Sequence, residues 1–169
     1  MRQKAFTCLI LGLVCSLCAV LGSAQQKNQA SITVEGLDGS KVTFTLEQLR
    51  QMPQESVSLA NPHPTTAEQY EGVLLRNLLA KVDTTIGKKL HPEDLRDYVE
   101  VAGRDGYRLV FALAELDPSL QDNHVLVAIS NEGKPLDDML GPVRVIAPQD
   151  KRQARSVRQV TTITLRQAP

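Results

Sequence analysis

The sequence of 169 residues contains no tryptophan, and phenylalanine and tyrosine occur only three times each. This shortage of aromatic side chains argues against a surface that binds carbohydrate by stacking on rings. Cysteine is also scarce, because Cys8, Cys15 and Cys18 are the only three and none follows them. Disulfides, cysteine zinc sites and thiol nucleophiles are therefore excluded for residues 19–169.

An excess of charge of either sign is absent as well, because 19 Lys and Arg residues balance 19 Asp and Glu residues. A near-neutral chain provides no electrostatic reason to expect nucleic acid or an anionic lipid surface as a partner. Internal repeats and low-complexity tracts are also missing. The length suits one domain with a sizeable core.

The N-terminal segment contains the longest apolar run of the sequence. Arg2 and Lys4 precede an apolar stretch at 8–21, and Gly22-Ser23-Ala24 follows it. A basic start, a short apolar stretch and small residues before a cleavage point are typical of secretory signal peptides. The stretch is shorter than the ~20 residues that a membrane-spanning helix needs. We therefore predict a cleaved signal peptide at 1–24, a linker at 25–29, and a single domain at 30–167, periplasmic or secreted, with no membrane span after cleavage.

Alternation of polar and apolar residues predicts a fold rich in sheet. Ser31–Glu35 and Val42–Thr45 alternate on either side of a turn, which predicts a hairpin. A second hairpin is predicted around Arg104-Asp105-Gly106, with strands at 98–101 and 107–111. The continuously apolar Val125–Ile129 predicts a central strand covered on both faces. Further strands are predicted at 56–60, 143–146 and 159–165.

Helical signals are short and do not alternate with the strands. Thr45 and Gln48 form a capping box for a helix over 46–52, and Pro92 suits the first turn of another helix. The spacing of four leucines predicts a helix over 73–80 with one buried face; these are Leu74, Leu75, Leu78 and Leu79. The pattern as a whole predicts an α+β fold of mostly mixed or antiparallel sheet with a few short helices.

Five segments occur in an order that is informative in itself. They are YEGVLLRNLL at 70–79, DGY at 105–107, GKPL at 133–136, GPVRVIAP at 141–148 and ARSVRQV at 154–160. In this order and spacing, residues 31–166 resemble the molybdopterin-binding domain of sulfite-oxidase-type oxidoreductases, in particular the short, exported, single-domain members. The resemblance implies a sulfite-oxidase catalytic-domain-like fold, molybdopterin as cofactor, and oxygen-atom transfer or sulfoxide reduction as activity.

The resemblance also implies a cysteine that ligates molybdenum, and this sequence lacks it. In the family that cysteine ends a strand shortly before the glycine that matches Gly72, and counting back reaches Ala60. Alanine offers a metal no donor atom. Asn61 and His63 are the nearest harder ligands, although His63 also reads as an exposed loop histidine. We therefore predict no protein metal ligand, name no catalytic residue, and expect either molybdopterin or no cofactor.

The basic residues near the C-terminus carry the binding prediction. In the family, the segment that matches 154–160 lies against the pterin and its phosphate, which implies cofactor-binding roles for Arg144, Arg155, Ser156 and Arg158. A guanidinium group suits this role because its planar fork pairs with two phosphate oxygens at once. The alternative is a solvated basic face that is balanced by nearby acids. The three tyrosines are interpreted as residues at the edge of the core rather than as cofactor contacts.

Two functions of different kinds remain open on the sequence. The first is a binding domain for a small anionic or pterin-like ligand, or for a periplasmic protein partner, without thiolate-ligated molybdenum catalysis. The second is an active periplasmic molybdopterin-dependent oxidoreductase whose metal has a non-cysteine protein ligand or none.

Overall fold

The computed structural model describes residues 30–60, 67–83, 86, 88 and 90–169. Two five-stranded sheets and three short α-helices make up this part of the chain, which confirms the predicted α+β fold. The predicted signal peptide and linker lie outside the described residues, as do Asn61 and His63.

The first sheet joins the two predicted hairpins through the C-terminal strand. Its order is β2-β1-β10-β5-β6, with β1 at Ser31–Glu35, β2 at Lys41–Thr45, β5 at Asp97–Gly103, β6 at Arg108–Ala112 and β10 at Val160–Gln167. Strand β10 runs parallel to β1 and antiparallel to β5, while both hairpin pairs are antiparallel. The sheet is therefore mixed, as the sequence predicted.

The second sheet is antiparallel and carries the strands that matter for the site. Its order is β3-β4-β7-β8, and β9 also pairs with β7. The strands are β3 at Glu55–Ala60, β4 at Ala67–Leu74, β7 at Leu126–Asn131, β8 at Lys134–Pro135 and β9 at Arg144–Ile146. Strand β7 lies between β4 on one side and β8 and β9 on the other, so the prediction of a central strand at 125–129 is confirmed.

The helices are short, and one of them differs from the prediction. Helix α1 (Leu46–Gln51) begins with the predicted capping box, in which Thr45 Oγ1 accepts from Gln48 N and Gln48 Oε1 accepts from Thr45 N. Helix α2 spans only Leu75–Leu79, because residues up to Leu74 continue strand β4. The helix predicted over 73–80 was therefore wrong at its start. Helix α3 is Leu113–Leu116, and 3₁₀ helices occupy Pro92–Arg96 and Gln153–Arg155.

Hydrophobic residues form two clusters, one on each face of the second sheet. The larger cluster takes side chains from both sheets and from α2, including Leu75, Leu78 and Leu79. The smaller cluster lies on the outer face of the second sheet and consists of Val57, Leu59, Tyr70, Leu74, Leu126, Ala128 and Ile146. Val73 and Leu74 are neighbours in strand β4 but belong to different clusters, since alternate strand residues point to opposite faces.

No helix in the described part of the chain has the length and apolar character needed to cross a membrane.

Candidate functional site

Arg144 is the most unusual side chain in the described structure. It lies on β9, and only 4% of its surface is exposed. Its Nη1 donates to Tyr70 Oη at 2.6 Å, and its Nη2 donates to Gln153 Oε1 at 3.2 Å. Among the described residues no carboxylate contacts this guanidinium, and the buried Nε has no partner. Burying a cation without a paired anion costs several kcal/mol, so the site favours an added negative charge.

Tyr70 supports Arg144 from strand β4. Its side chain is fully buried, and the guanidinium carbon of Arg144 lies 5.2 Å from the centre of its ring. The Tyr70 hydroxyl accepts from Arg144 and donates to Glu68 Oε2 at 2.6 Å. Burial, reinforced by the hydrogen bond to Glu68, raises the pKa of Tyr70 to about 12. The phenol therefore stays protonated at neutral pH and adds no charge of its own next to Arg144.

Two further residues of the predicted site lie on the segment after β9, whose Gln153 contacts Arg144. Ser156 is buried, and its Oγ has no partner among the described residues. Arg158 is exposed, and it lies close enough for its charge to act on both Arg144 and Tyr70. Burial is the main reason that the pKa of Arg144 is lowered; the positive charge of Arg158 acts in the same direction, while Tyr70 and the negative charge of Glu68 oppose it. A bound anion would offset both the burial of the Arg144 cation and its repulsion from Arg158.

Asn131 adds an acceptor to the same face of the second sheet. It pairs in register with Tyr70 across β4 and β7, and its buried Oδ1 has no partner in the described residues. Arg144 Nε is a donor, Ser156 Oγ can donate or accept, and Asn131 Oδ1 is an acceptor, and the described protein groups satisfy none of the three. Buried polar groups are normally hydrogen-bonded, so each of these atoms could pair with a ligand that reaches it.

Arg155 is engaged elsewhere, although the sequence predicted it as a member of the same group. Its Nε and Nη2 donate to the two carboxylate oxygens of Asp150 at 2.8 and 2.7 Å, and its Nη1 donates to Glu115 at 2.9 and 3.1 Å. These two carboxylates raise its pKa. All three of its nitrogens donate to carboxylates, so most of the hydrogen-bonding capacity of Arg155 is used within the protein, and its role in binding a cofactor stays a prediction.

The structure adds residues to the site that sequence reasoning did not include. Tyr70 was interpreted as a residue at the edge of the core, yet it is fully buried and bonded to Arg144. Gln153 and Glu68 were not singled out. If residues 67–74 are interpreted as a strand, alternation places Glu68, Tyr70 and Leu74 on one face of the sheet. Leu75 then follows the end of the strand.

Among the described residues, no group of three or more His, Cys, Asp or Glu side chains could hold a metal ion. The counted position of the family's cysteine, Ala60, is the last residue of strand β3. The nearest alternatives, Asn61 and His63, lie outside the described residues.

Comparison with solved structures supports the fold. The crystal structure of the sulfane dehydrogenase SoxCD from Paracoccus pantotrophus matches with a TM-score of 0.62 at 18% sequence identity. The match covers 85% of this chain and 40% of that one, so this chain spans less than half the length of that relative. At this identity the likeness shows the fold alone. No curated protein matches the sequence.

Comparison with family models decides the family. The model described as the oxidoreductase molybdopterin-binding domain matches residues 21–169. That range includes all five segments that carried the resemblance and every residue of the site around Arg144. The chain therefore belongs to the oxidoreductase molybdopterin-binding domain family.

Proposed function

We propose that this chain is an exported binding domain of its family, which holds a small anionic or pterin-like ligand and lacks thiolate-ligated molybdenum catalysis. The observation that carries the proposal is Arg144, a buried guanidinium with an unsatisfied Nε and no carboxylate against it in the described structure. The exposed guanidinium of Arg158 and the hydroxyl of Ser156 supply further donors. Phosphate oxygens are the acceptors that such donors pair with best.

Only one of the two ends of molybdopterin, the phosphate end, fits this site. Its phosphate suits the donors of Arg144, Ser156 and Arg158, so these residues would hold that end of the cofactor. The metal end does not fit, because Ala60 stands at the counted cysteine position and no cysteine occurs after Cys18. A thiolate supplies a soft donor and a negative charge together, and alanine, asparagine and histidine do not replace both. We therefore derive no redox step from this site.

An active oxidoreductase is the second candidate, and the family match favours it. The cofactor that names the family carries out redox chemistry, and Asn61 or His63 would then be the suspected ligands in place of cysteine. A periplasmic protein is the remaining partner class, if the site serves for docking rather than for a small ligand.

Metal content and activity separate the two candidates. The full chain is expressed with its own N-terminal segment in a host that makes molybdopterin, and the exported protein is analysed for molybdenum, sulfite oxidation and sulfoxide reduction. We expect folded protein with no stoichiometric molybdenum and no turnover. Robust turnover with bound molybdenum would replace the binding proposal with the enzyme.

Anion binding is measured on the same protein with inorganic phosphate and pyrophosphate as probes in titration calorimetry. We expect weak binding that Arg158→Ala and Ser156→Ala each reduce. Arg108→Ala is the matched control, because Arg108 is an exposed arginine whose ion pair with Glu100 at 2.9 Å lies on the other sheet. Equal binding by all four proteins, or none by the wild type, would contradict the proposal.

A further inference from the structure

Arg155 has the contacts of a clamp rather than those of a ligand-binding group. It forms a two-point ion pair with Asp150 and a second ion pair with Glu115, and its guanidinium carbon lies 4.7 Å from the centre of the Phe111 ring. Its partners come from different parts of the chain, since Asp150 follows strand β9 and Glu115 lies on helix α3. Arginine forms such paired contacts in a fixed plane, so all the groups around it are held in one geometry.

The acidic partner on α3 is itself held in place. Glu115 Oε1 accepts from the backbone N of Ala112 at 2.9 Å, and Glu115 Oε2 accepts from Asn123 Nδ2 at 3.3 Å. Only 15% of the Glu115 side chain is exposed, compared with 34% of the Arg155 side chain. Helix α3 therefore presents a fixed carboxylate to which Arg155 ties the segment 150–156.

That segment carries Gln153, which contacts Arg144, and Ser156, which contacts Gln153. Gln153 accepts from Arg144 Nη2, and the backbone N of Ser156 donates to Gln153 O at 3.0 Å. The next residue, Val157, accepts from the backbone N of Val145 on β9 at 2.9 Å. The position of Gln153 and Ser156 relative to Arg144 thus depends on how the segment 150–156 is held.

We propose that Arg155 is a positioning residue, which clamps residues 150–156 to α3 so that Gln153 is held against Arg144 and Ser156 next to Gln153, and that it does not itself bind the ligand. This inference rests on the proposed anion site. It assigns Arg155 a different task from Arg144 and Arg158, although the sequence groups the three together. Replacing a residue that holds the binding groups of a site in place commonly lowers the affinity of that site about tenfold or more.

Asp150→Asn separates a clamp from a direct ligand, because the two roles predict changes of opposite sign. If Arg155 binds the anion, releasing it from Asp150 raises the affinity for phosphate or pyrophosphate. If Arg155 is a clamp, Asp150→Asn lowers the affinity about tenfold, as Arg155→Ala does. Arg155→Lys is expected not to restore binding, since an ammonium group cannot make the two-point pair. Higher affinity in Asp150→Asn overturns the clamp, and Arg108→Ala is again the control.

Backbone hydrogen exchange tests the clamp without any ligand. In Arg155→Ala, and in the milder Arg155→Lys, the amides of Ser156 and Val145 are expected to exchange at least about tenfold faster than in the wild type. Amides of the β1–β2 hairpin are expected to keep their protection, which shows that the variant is folded. Unchanged exchange at Ser156 and Val145 overturns the clamp. If the wild type binds no phosphate, the proposed function fails, and exchange alone still decides the role of Arg155.

Discussion

Arg144 and Arg155 show how differently one fold treats two arginines of the same basic stretch. Arg144 is buried against Tyr70 with no carboxylate touching it in the described structure, while Arg155 lies between Asp150 and Glu115. The first therefore reaches a carboxylate, that of Glu68, only through Tyr70, while the second is neutralised by two direct ion pairs. A cluster of basic residues in a sequence does not reveal this division, because the acids that neutralise Arg155 include one that is 40 residues away.

Replacing Tyr70 with phenylalanine tests the buried pair through its pH dependence. The folded state raises the pKa of Tyr70 from about 10 to about 12, so ionisation of this phenol favours the unfolded chain. Its contribution to the free energy of unfolding is complete below pH 10 and is lost as the pH rises through 12, by about 2–3 kcal/mol. Tyr70→Phe is expected to lack this loss and to be less stable at neutral pH, since Arg144 Nη1 loses its acceptor.

Urea unfolding of both proteins across this pH range measures the difference directly. Lysines and the other tyrosines titrate in both proteins, so their effects cancel in the comparison. Parallel curves for the wild type and Tyr70→Phe would mean that the hydroxyl of Tyr70 is not buried in this pair.

Strand β4 and helix α2 meet at a point where two local signals compete. Four leucines at helical spacing predict a helix from 73, but β4 pairs with β3 up to Gly72 and with β7 up to Leu74. Backbone pairing with β7 outweighs the spacing of a short leucine set at Val73 and Leu74. Gly72 permits the close approach of β7, because a Cβ at this position would lie 2.1 Å from Val127 O. Only from Leu75 is the backbone free to turn into a helix.

Leu78→Ala measures how much of the core depends on this short helix. Leu78 is fully buried in the larger cluster, so truncation is expected to lower the free energy of unfolding by about 2–5 kcal/mol. Leu95→Ala is the control, because Leu95 is 52% exposed and its truncation should cost less than about 0.5 kcal/mol. Urea unfolding of the two variants gives both numbers. A cost for Leu78→Ala within the control range would place this leucine outside the core.

On the scale of the whole molecule, the site is assembled from distant parts of the chain. Tyr70 and Arg144 are separated by 74 positions in sequence and are brought together because β4 and β9 flank the same central strand, β7. Ser156 and Arg158 lie on the connection from β9 to β10, which also carries Gln153, a contact of Arg144. The second sheet therefore positions Tyr70 and Arg144, and the strand after the site segment, β10, belongs to the first sheet.

The N-terminal segment gives a prediction for the molecule as it is exported. Two basic residues, the apolar stretch at 8–21 and Gly22-Ser23-Ala24 predict cleavage after Ala24, with Gln25 as the new first residue. Intact-mass measurement of exported protein should show the loss of residues 1–24, with or without cyclisation of Gln25. Retention of these residues in the exported protein would contradict the signal peptide, and Ala24→Leu should block the cleavage if it is correct.

The sequence by itself determined the features that depend on local interactions. Both hairpins, the capping box of Thr45 and Gln48, and the apolar central strand follow from contacts between near neighbours, and all are present as predicted. The family also followed from the sequence, because the order of its segments along the chain needs no three-dimensional information. The missing cysteine, likewise, is a property of the sequence alone.

Only the tertiary structure decided the end of β4, the burial of Tyr70 and the different partners of Arg144 and Arg155. Each of these depends on groups that are far apart in sequence, such as β4 with β7 or Arg155 with Glu115. A local pattern contains no information about which distant carboxylate or strand will be adjacent. The fold brings those groups together, and their charge and burial then determine which arginine is neutralised and which keeps an unpaired donor.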